Sequence, residues 1–329
     1  MTGAGPALLL DAGWVTHLRA QLELAAFGEF LAALAARHRV IRFDKPGCGL
    51  SDRDGGDVSF EGQVAAALAV VDAVGADRFS VFGASQGGHV AAAIAARHPA
   101  RVESLVLYGT CARGADLAPP RVRESLLGLV AAHWGLASRL LGAVFLADPA
   151  PEDLQAFARL QREAASASVA GRLLEVYYET DVADLLAAVR ARTLVLHREA
   201  DTAARFELGR QVAGLVPGAT LVPLPGAGHL FYHGQWRPVL EQALAFLAEA
   251  GAAQPRLTAR EYAVARLVAS GLTNRSLAAR LSIAPRTADT HVDNIRRKLG
   301  ARSRAQIAAW ITEHPQEARH PQDTRHPAT

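Results

Sequence analysis

The sequence predicts two folds on one chain: a doubly wound, mostly parallel α/β sheet over residues 1–250 and a small all-α module at 256–314, joined by a linker at 251–255. Three observations carry this. Short apolar runs alternate with longer helical patterns up to about Ala250, as a parallel sheet covered on both faces requires. Gly83-Ala-Ser85-Gln-Gly87 falls at a strand-to-helix junction. Charge is divided unevenly: from Pro255 to the end there are 13 Arg+Lys against 6 Asp+Glu (net +7), while the preceding 254 residues hold 22 against 26 (net −4). A basic appendage on an acidic body suits a polyanion-binding module attached to a small-molecule domain, and a solvated basic surface is the plainer alternative.

A chain of 329 residues, half of them hydrophobic, has material for one large domain and one small one. Apolar runs such as Ala65 to Val71 are short and end at a charge (Asp72), so no membrane partner is expected. Leu8-Leu9-Leu10 lacks a basic segment ahead of it, which argues against a secretory signal. Two cysteines, Cys48 and Cys111, make no disulfide framework, and the expectation is a cytoplasmic protein with reduced thiols. Buried strands are predicted at Ala7 to Leu10, Arg39 to Phe43, Phe79 to Phe82, Ser104 to Tyr108 and Thr193 to Leu196, with helices at Gly62 to Val74 and Gly88 to Arg97. About 114–190 reads as a helical insertion without strands. Residues 315–329, with His-Pro repeated at six-residue spacing, read as a disordered tail whose histidines are a weaker metal-binding candidate.

A Gly-x-Ser-x-Gly turn between a strand and a helix lifts a serine hydroxyl clear of the sheet and leaves the next N–H facing an oxyanion. Ser85 is the candidate nucleophile and the Gln86 N–H an oxyanion donor. A serine needs a base and the base an orienting acid. His229, in the loop after Thr220 to Leu224, and Asp201, after the strand at Thr193, supply them in the order Ser, Asp, His. Glu199 is a competing acid. His233, four residues past His229, leaves a metal pair conceivable, but no further ligand cluster supports it; neither a metal nor a cofactor is expected.

These segments resemble the α/β-hydrolase superfamily across residues 3–250. Arg42-Phe-Asp-Lys-Pro-Gly-Cys-Gly-Leu-Ser-Asp52 resembles its D-x-x-G-x-G-x-S turn, and His98-Pro-Ala-Arg-Val102 the approach to its next strand. Asp11-Ala-Gly13-Trp14 stands where the family has an H-G-x oxyanion loop, with Ala12 in place of the histidine; the resemblance implies the Trp14 N–H as second oxyanion donor. It also implies that the helical insertion is a cap roofing a pocket, with Trp134, Tyr177 and Tyr178 as candidate lining. Family members begin with two antiparallel strands, whereas this chain reaches the oxyanion strand almost at Met1. That implies either a trimmed sheet edge or a start upstream.

Thr258-Ala-Arg-Glu261 is a capping box, Gly271 a helix stop, and Pro285 opens a further helix with Ala288, Val292, Ile295 and Leu299 inward. Leu257-Thr-x-Arg-Glu, Ala269-x-Gly-Leu-Thr-Asn274, Thr287-x-x-x-His291 and Lys298-Leu-Gly-x-Arg-Ser-Arg304 together resemble the LuxR-type helix–turn–helix. The resemblance implies double-stranded DNA as partner, bound by a homodimer. It places Thr287, Asp289, Thr290 and Asp293 toward base edges, and Arg286, Arg296, Arg297, Lys298, Arg302 and Arg304 toward phosphates. Asp at two reading positions opposes general affinity but can accept from cytosine N4. Two departures stand out: Ala284 takes the place of a serine N-cap, and Ser276 that of an acidic residue.

Three functions follow: a transcription regulator whose hydrolase-like domain senses a small-molecule ligand, an active serine hydrolase or esterase acting on an ester substrate with an accessory DNA module, or a receptor that slowly hydrolyses its own ligand. The first is favoured, since an enzyme has no evident need of a sequence-reading helix.

Overall fold

Leu8 and Leu10 face one side of a strand and Leu9 the other, yet all three are buried, which only a sheet covered on both faces allows. The computed structural model describes residues 1–53, 56–252, 257–299, 301 and 303–313, in two compact units, Met1–Ala250 and Gly251–Thr329. The tail at 315–329 and most of the expected linker lie outside the described residues; residues 251 and 252 continue a helix.

In the first unit six strands run β1 (Ala7–Asp11), β2 (Arg39–Ile41), β3 (Phe79–Ala84), β4 (Val102–Tyr108), β5 (Arg192–Arg198) and β6 (Thr220–Leu224). They pair in the order β2-β1-β3-β4-β5-β6, and every pairing is parallel. At the β2 edge Thr2 forms an isolated antiparallel bridge, exchanging both backbone hydrogen bonds with Val40 (3.0 and 2.8 Å). Helices α1 (Ala25–Ala35), α2 (Phe60–Ala73) and α3 (Gln86–Arg97) follow the first three strands. Phe27, Phe30 and Leu34 of α1 pack on one face with Leu8, Leu10 and Phe82; Val64 and Val71 of α2 and Val90 and Ile94 of α3 cover the other. Each such side chain contributes roughly 1.5–3 kcal/mol by leaving water.

The insertion holds α4 (Pro120–Ala132), α5 (Trp134–Leu146), α6 (Pro151–Ala164), α7 (Ala167–Glu179) and α8 (Ala183–Ala188). Only α4 to α7 form a cap. Ala183 and Leu186 of α8 join the sheet core beside α3, so the roof ends earlier than residue 190. The unit closes with α9 (Phe206–Leu215) and α10 (Arg237–Ala252).

The second unit is α11 (Ala259–Ala269), α12 (Asn274–Leu281), α13 (Pro285–Leu299) and α14 (Arg304–Glu313) around a core of Val264, Val268, Leu277, Ala288, Val292, Ile295 and Ile307. Thr258 and Glu261 form both halves of a capping box, and Gly271 takes φ 85°, the left-handed value that ends α11.

Candidate active site and candidate nucleic-acid interface

The chain leaves β1 in one direction for β2 and returns on its other side as β3, so the carboxyl ends of β1 and β3 flank a crevice where parallel sheets bind ligands. Ser85 stands there at φ 51° and ψ −124°, a non-glycine conformation that costs about 1–3 kcal/mol. Its neighbours explain why the turn stays closed. A Cβ on Gly83 would come 2.6 Å from that of Ala91, and one on Gly87 2.5 Å from Asp11 Oδ1. α3 opens at Gln86, two residues earlier than the sequence suggests, so the Gln86 N–H is among those that no helical carbonyl can meet.

His229 Nε2 lies 2.9 Å from Ser85 Oγ, and His229 Nδ1 lies 2.8 Å from Asp201 Oδ2. Asp201 Oδ1 accepts from the Ala203 and Ala204 N–H groups, each at 2.9 Å. Burial pushes the Asp201 carboxyl up, but the charge and hydrogen bond of His229, the Ala204 N–H and His197 outweigh it and hold the group below its ordinary range. Glu199, the rival acid, is exposed, and His233 pairs with Asp153 at 3.4 Å.

Sequence reasoning missed the braces around this triad. Arg198, at the end of β5 and fully buried, donates to the carbonyls of Gly228 (2.6 Å) and His233 (2.7 Å), on either side of His229. Asp11, one residue before Ala12, braces the loop: its Oδ1 accepts the Gly13 N–H at 3.2 Å. Its Oδ2 is met at 3.1 Å by Lys45 Nζ, which is 0% exposed and also donates to Gln63 Oε1 at 3.1 Å. The sequence signal for both was a charge inside or at the end of an otherwise apolar strand-and-turn stretch.

A cavity of about 430 Å³ borders Ser85 and His229, and Trp14, Tyr177 and Tyr178 line it. The Tyr177 hydroxyl accepts from Cys111 Sγ (3.6 Å) and faces Ser85. Trp134, also expected in the lining, stands behind it, edge-on to Trp14 with ring centroids 5.8 Å apart and Nε1 donating to Ala165 O. Cys48 and Cys111 are buried and unbridged. No helix among the described residues is long and apolar enough to cross a membrane.

In the helical unit Arg286, Thr287, Asp289, Thr290 and Asp293 are all exposed along α13, opposite the buried Ala288, Val292 and Ile295. Three residues expected at DNA are tied to residues outside their own helix. Asp289 accepts from Asn274 Nδ2 (2.7 Å), Lys298 pairs with Glu261 (2.6 Å), and Arg304 donates to Leu272 O and Asn274 Oδ1. Arg297 donates to Asn294 (2.6 Å), and Arg296 lies 3.8 Å from Asp293. Arg302 lies outside the described residues. Thr273 caps α12 by accepting the Ser276 N–H, a role its spacing could have revealed.

A family model of the alpha/beta hydrolase fold matches residues 6–234, and one of bacterial regulatory proteins of the luxR family matches residues 255–311. The chain is 30% identical to polyketide synthase ThaQ of Burkholderia thailandensis over 260 residues, 75% of this chain but 12% of that protein. It is 47% identical to a protein of Mycobacterium bovis named as an HTH-type transcriptional regulator over 51 residues, 16% of this chain and 6% of that one. The chain thus spans a small part of either relative's length. A hydrolase from Pseudomonas aeruginosa superposes on 74% of this chain and 91% of its own with a TM-score of 0.64 at 27% identity. The chain belongs to the α/β-hydrolase fold family and carries a LuxR-family helix–turn–helix domain behind it.

Proposed function

We propose that this chain is a DNA-binding transcription regulator whose hydrolase-type unit senses a small molecule. The observation that carries the reading is α13: one side builds the core of its unit, while the other presents Arg286, Thr287, Thr290 and Asp293 to solvent, as a helix that enters the major groove must. In this reading the protein acts in the cytoplasm as a homodimer on paired half-sites, with Arg286, Arg296, Arg297 and Arg302 at phosphates. Lys298 and Arg304 serve first as struts of the unit. Selection from genomic DNA, with wild type and Ser85→Ala in parallel, tests it. A pseudo-palindromic sequence should be enriched, and failure to select any sequence at moderate salt overturns regulation.

A second reading, serine hydrolysis, is favoured by the 2.9 and 2.8 Å spacings from Ser85 through His229 to Asp201. Here Ser85 Oγ attacks a carbonyl as His229 Nε2 takes its proton, Asp201 holds the imidazole tautomer, and the Gln86 and Trp14 N–H groups receive the oxyanion. His229 then protonates the leaving alkoxide and activates water against the acyl-serine. The two readings join in a receptor that resets by hydrolysing its own ligand. A Ser85→Ala protein that binds ligand but never resets its DNA affinity would mark that case.

A further inference from the structure

We infer that the pocket of the α/β unit takes an uncharged acyl ester or lactone, with the carbonyl at Ser85 and an aliphatic chain running toward α4 and α5, and that it rejects carboxylates. The inference rests on the reading of Ser85 as the place where a ligand carbonyl sits.

Among the described residues no Lys, Arg, Asp or Glu lines the cavity. Its hydrogen-bonding groups are few, and several are already engaged. His229 is held between Asp201 and Ser85, and Thr202 Oγ1 donates to the carbonyls of Val144 (2.6 Å) and Ala227 (3.2 Å). Ser125 Oγ donates to Arg121 O (2.8 Å), and the remaining polar groups of the lining, the Tyr177 and Tyr178 hydroxyls, are uncharged. Arg123 is not a lining residue; its guanidinium stacks on the Tyr178 ring at 5.8 Å and donates to Ala118 O at 3.1 Å. Behind the lining residues Ala203 and Ala204 lies the carboxylate of Asp201, so the fixed charge at this end opposes an anion.

Away from Ser85 the walls are mostly aliphatic, with Leu126, Leu129, Leu141 and Val144 and one hydroxyl, that of Ser125, among them. Val122 and Leu140 also line the cavity and yet are 53% and 47% exposed, so they face cavity and solvent together and form its mouth between α4 and α5. A volume of about 430 Å³ is within the range of small-molecule sites, roughly 300–1,000 Å³. In such a tunnel each added methylene tightens binding about fourfold, equivalent to ~0.8 kcal/mol. An ionised carboxylate finds no partner for its charge and is disfavoured by about 100-fold or more.

Calorimetry on full-length Ser85→Ala tests this with methyl butanoate, hexanoate, octanoate and decanoate, sodium octanoate and monomethyl suberate. The variant has no nucleophile, so its binding profile is independent of turnover; absence of acylation in the wild type would overturn the hydrolase reading alone. Affinity should rise about fourfold per methylene across the esters. Octanoate, whose carboxylate would sit at Ser85, should bind about 100-fold more weakly than methyl octanoate, and Leu140→Lys at the half-exposed mouth should tighten monomethyl suberate by up to about fivefold while leaving methyl octanoate unimproved. A flat chain-length series, octanoate binding as tightly as its methyl ester, or no binding by any ester overturns the inference. Failure of Leu140→Lys to tighten the suberate overturns the assigned path of the chain.

Discussion

Replacing Lys45 by Met should be among the most damaging single changes available in the α/β unit. Lys45 is 0% exposed and its ammonium is 3.1 Å from Asp11, itself buried at the end of β1. Met keeps the length of the side chain and removes the charge. The Asp11 carboxylate, 2% exposed, is then left with the Gly13 N–H. Stranding one member of a buried pair costs about 3–5 kcal/mol. For a unit of this size 1 kcal/mol corresponds to about 2–4 °C in Tm, so the expected drop is roughly 6–20 °C. Urea denaturation gives the same quantity from the midpoint, provided the slope is unchanged. The double variant Asp11→Leu, Lys45→Met should regain most of the loss, because an apolar pair replaces an ion pair at little cost. A single variant within about 0.5 kcal/mol of wild type would refute the argument, since it would mean that water reaches the pair. A double variant as unstable as the single one would refute it equally.

Other expectations can be checked together. A fluorophosphonate probe should label Ser85, His229→Ala should abolish the labelling, and Asp201→Asn should slow it by about 10³–10⁴-fold through the wrong imidazole tautomer. Burial holds His89 down from 6.5 to about 4, and lowers His197 as well. Between these values the unfolded chain takes up protons that the folded chain refuses, so stability falls as pH falls from about 6.5 to about 4. His89→Gln should remove on the order of 3 kcal/mol from that acid-side loss, measured by denaturation at stepped pH. On DNA, Arg286→Ala should reduce the slope of log affinity against log salt by about 0.9, as one phosphate contact does. Arg304→Ala should instead lower the melting temperature of the helical unit, because its guanidinium ties α14 to Leu272 and Asn274.

The strands and the order of the triad were legible because both are local patterns: Leu8 to Leu10 and Phe79 to Phe82 are apolar runs, and Ser85 announces itself through Gly83 and Gly87. The capping box at Thr258 and the inward set on α13 were legible for the same reason. What the sequence hid is long-range. Nothing near Asp11 points to Lys45, which comes 34 residues later. Nothing near Arg304 shows that Leu272 and Asn274 claim its guanidinium before any phosphate could. Trp134 was misplaced because helical spacing gives the face of a side chain but not what stands between it and the pocket. The boundary of the cap was misjudged in the same way: α8 reads as one more helix of the insertion, yet its apolar side belongs to the sheet.

The last turn of α5 has carbonyls that no helical N–H can reach. Two of them are claimed from below: the His229 N–H donates to Phe145 O at 2.6 Å, and Thr202 Oγ1 donates to Val144 O at 2.6 Å. The roof of the pocket and the loop carrying the base are therefore one mechanical piece. The amide of His229 and the hydroxyl of Thr202 thus anchor the end of the roof to the two loops that carry the base and its acid.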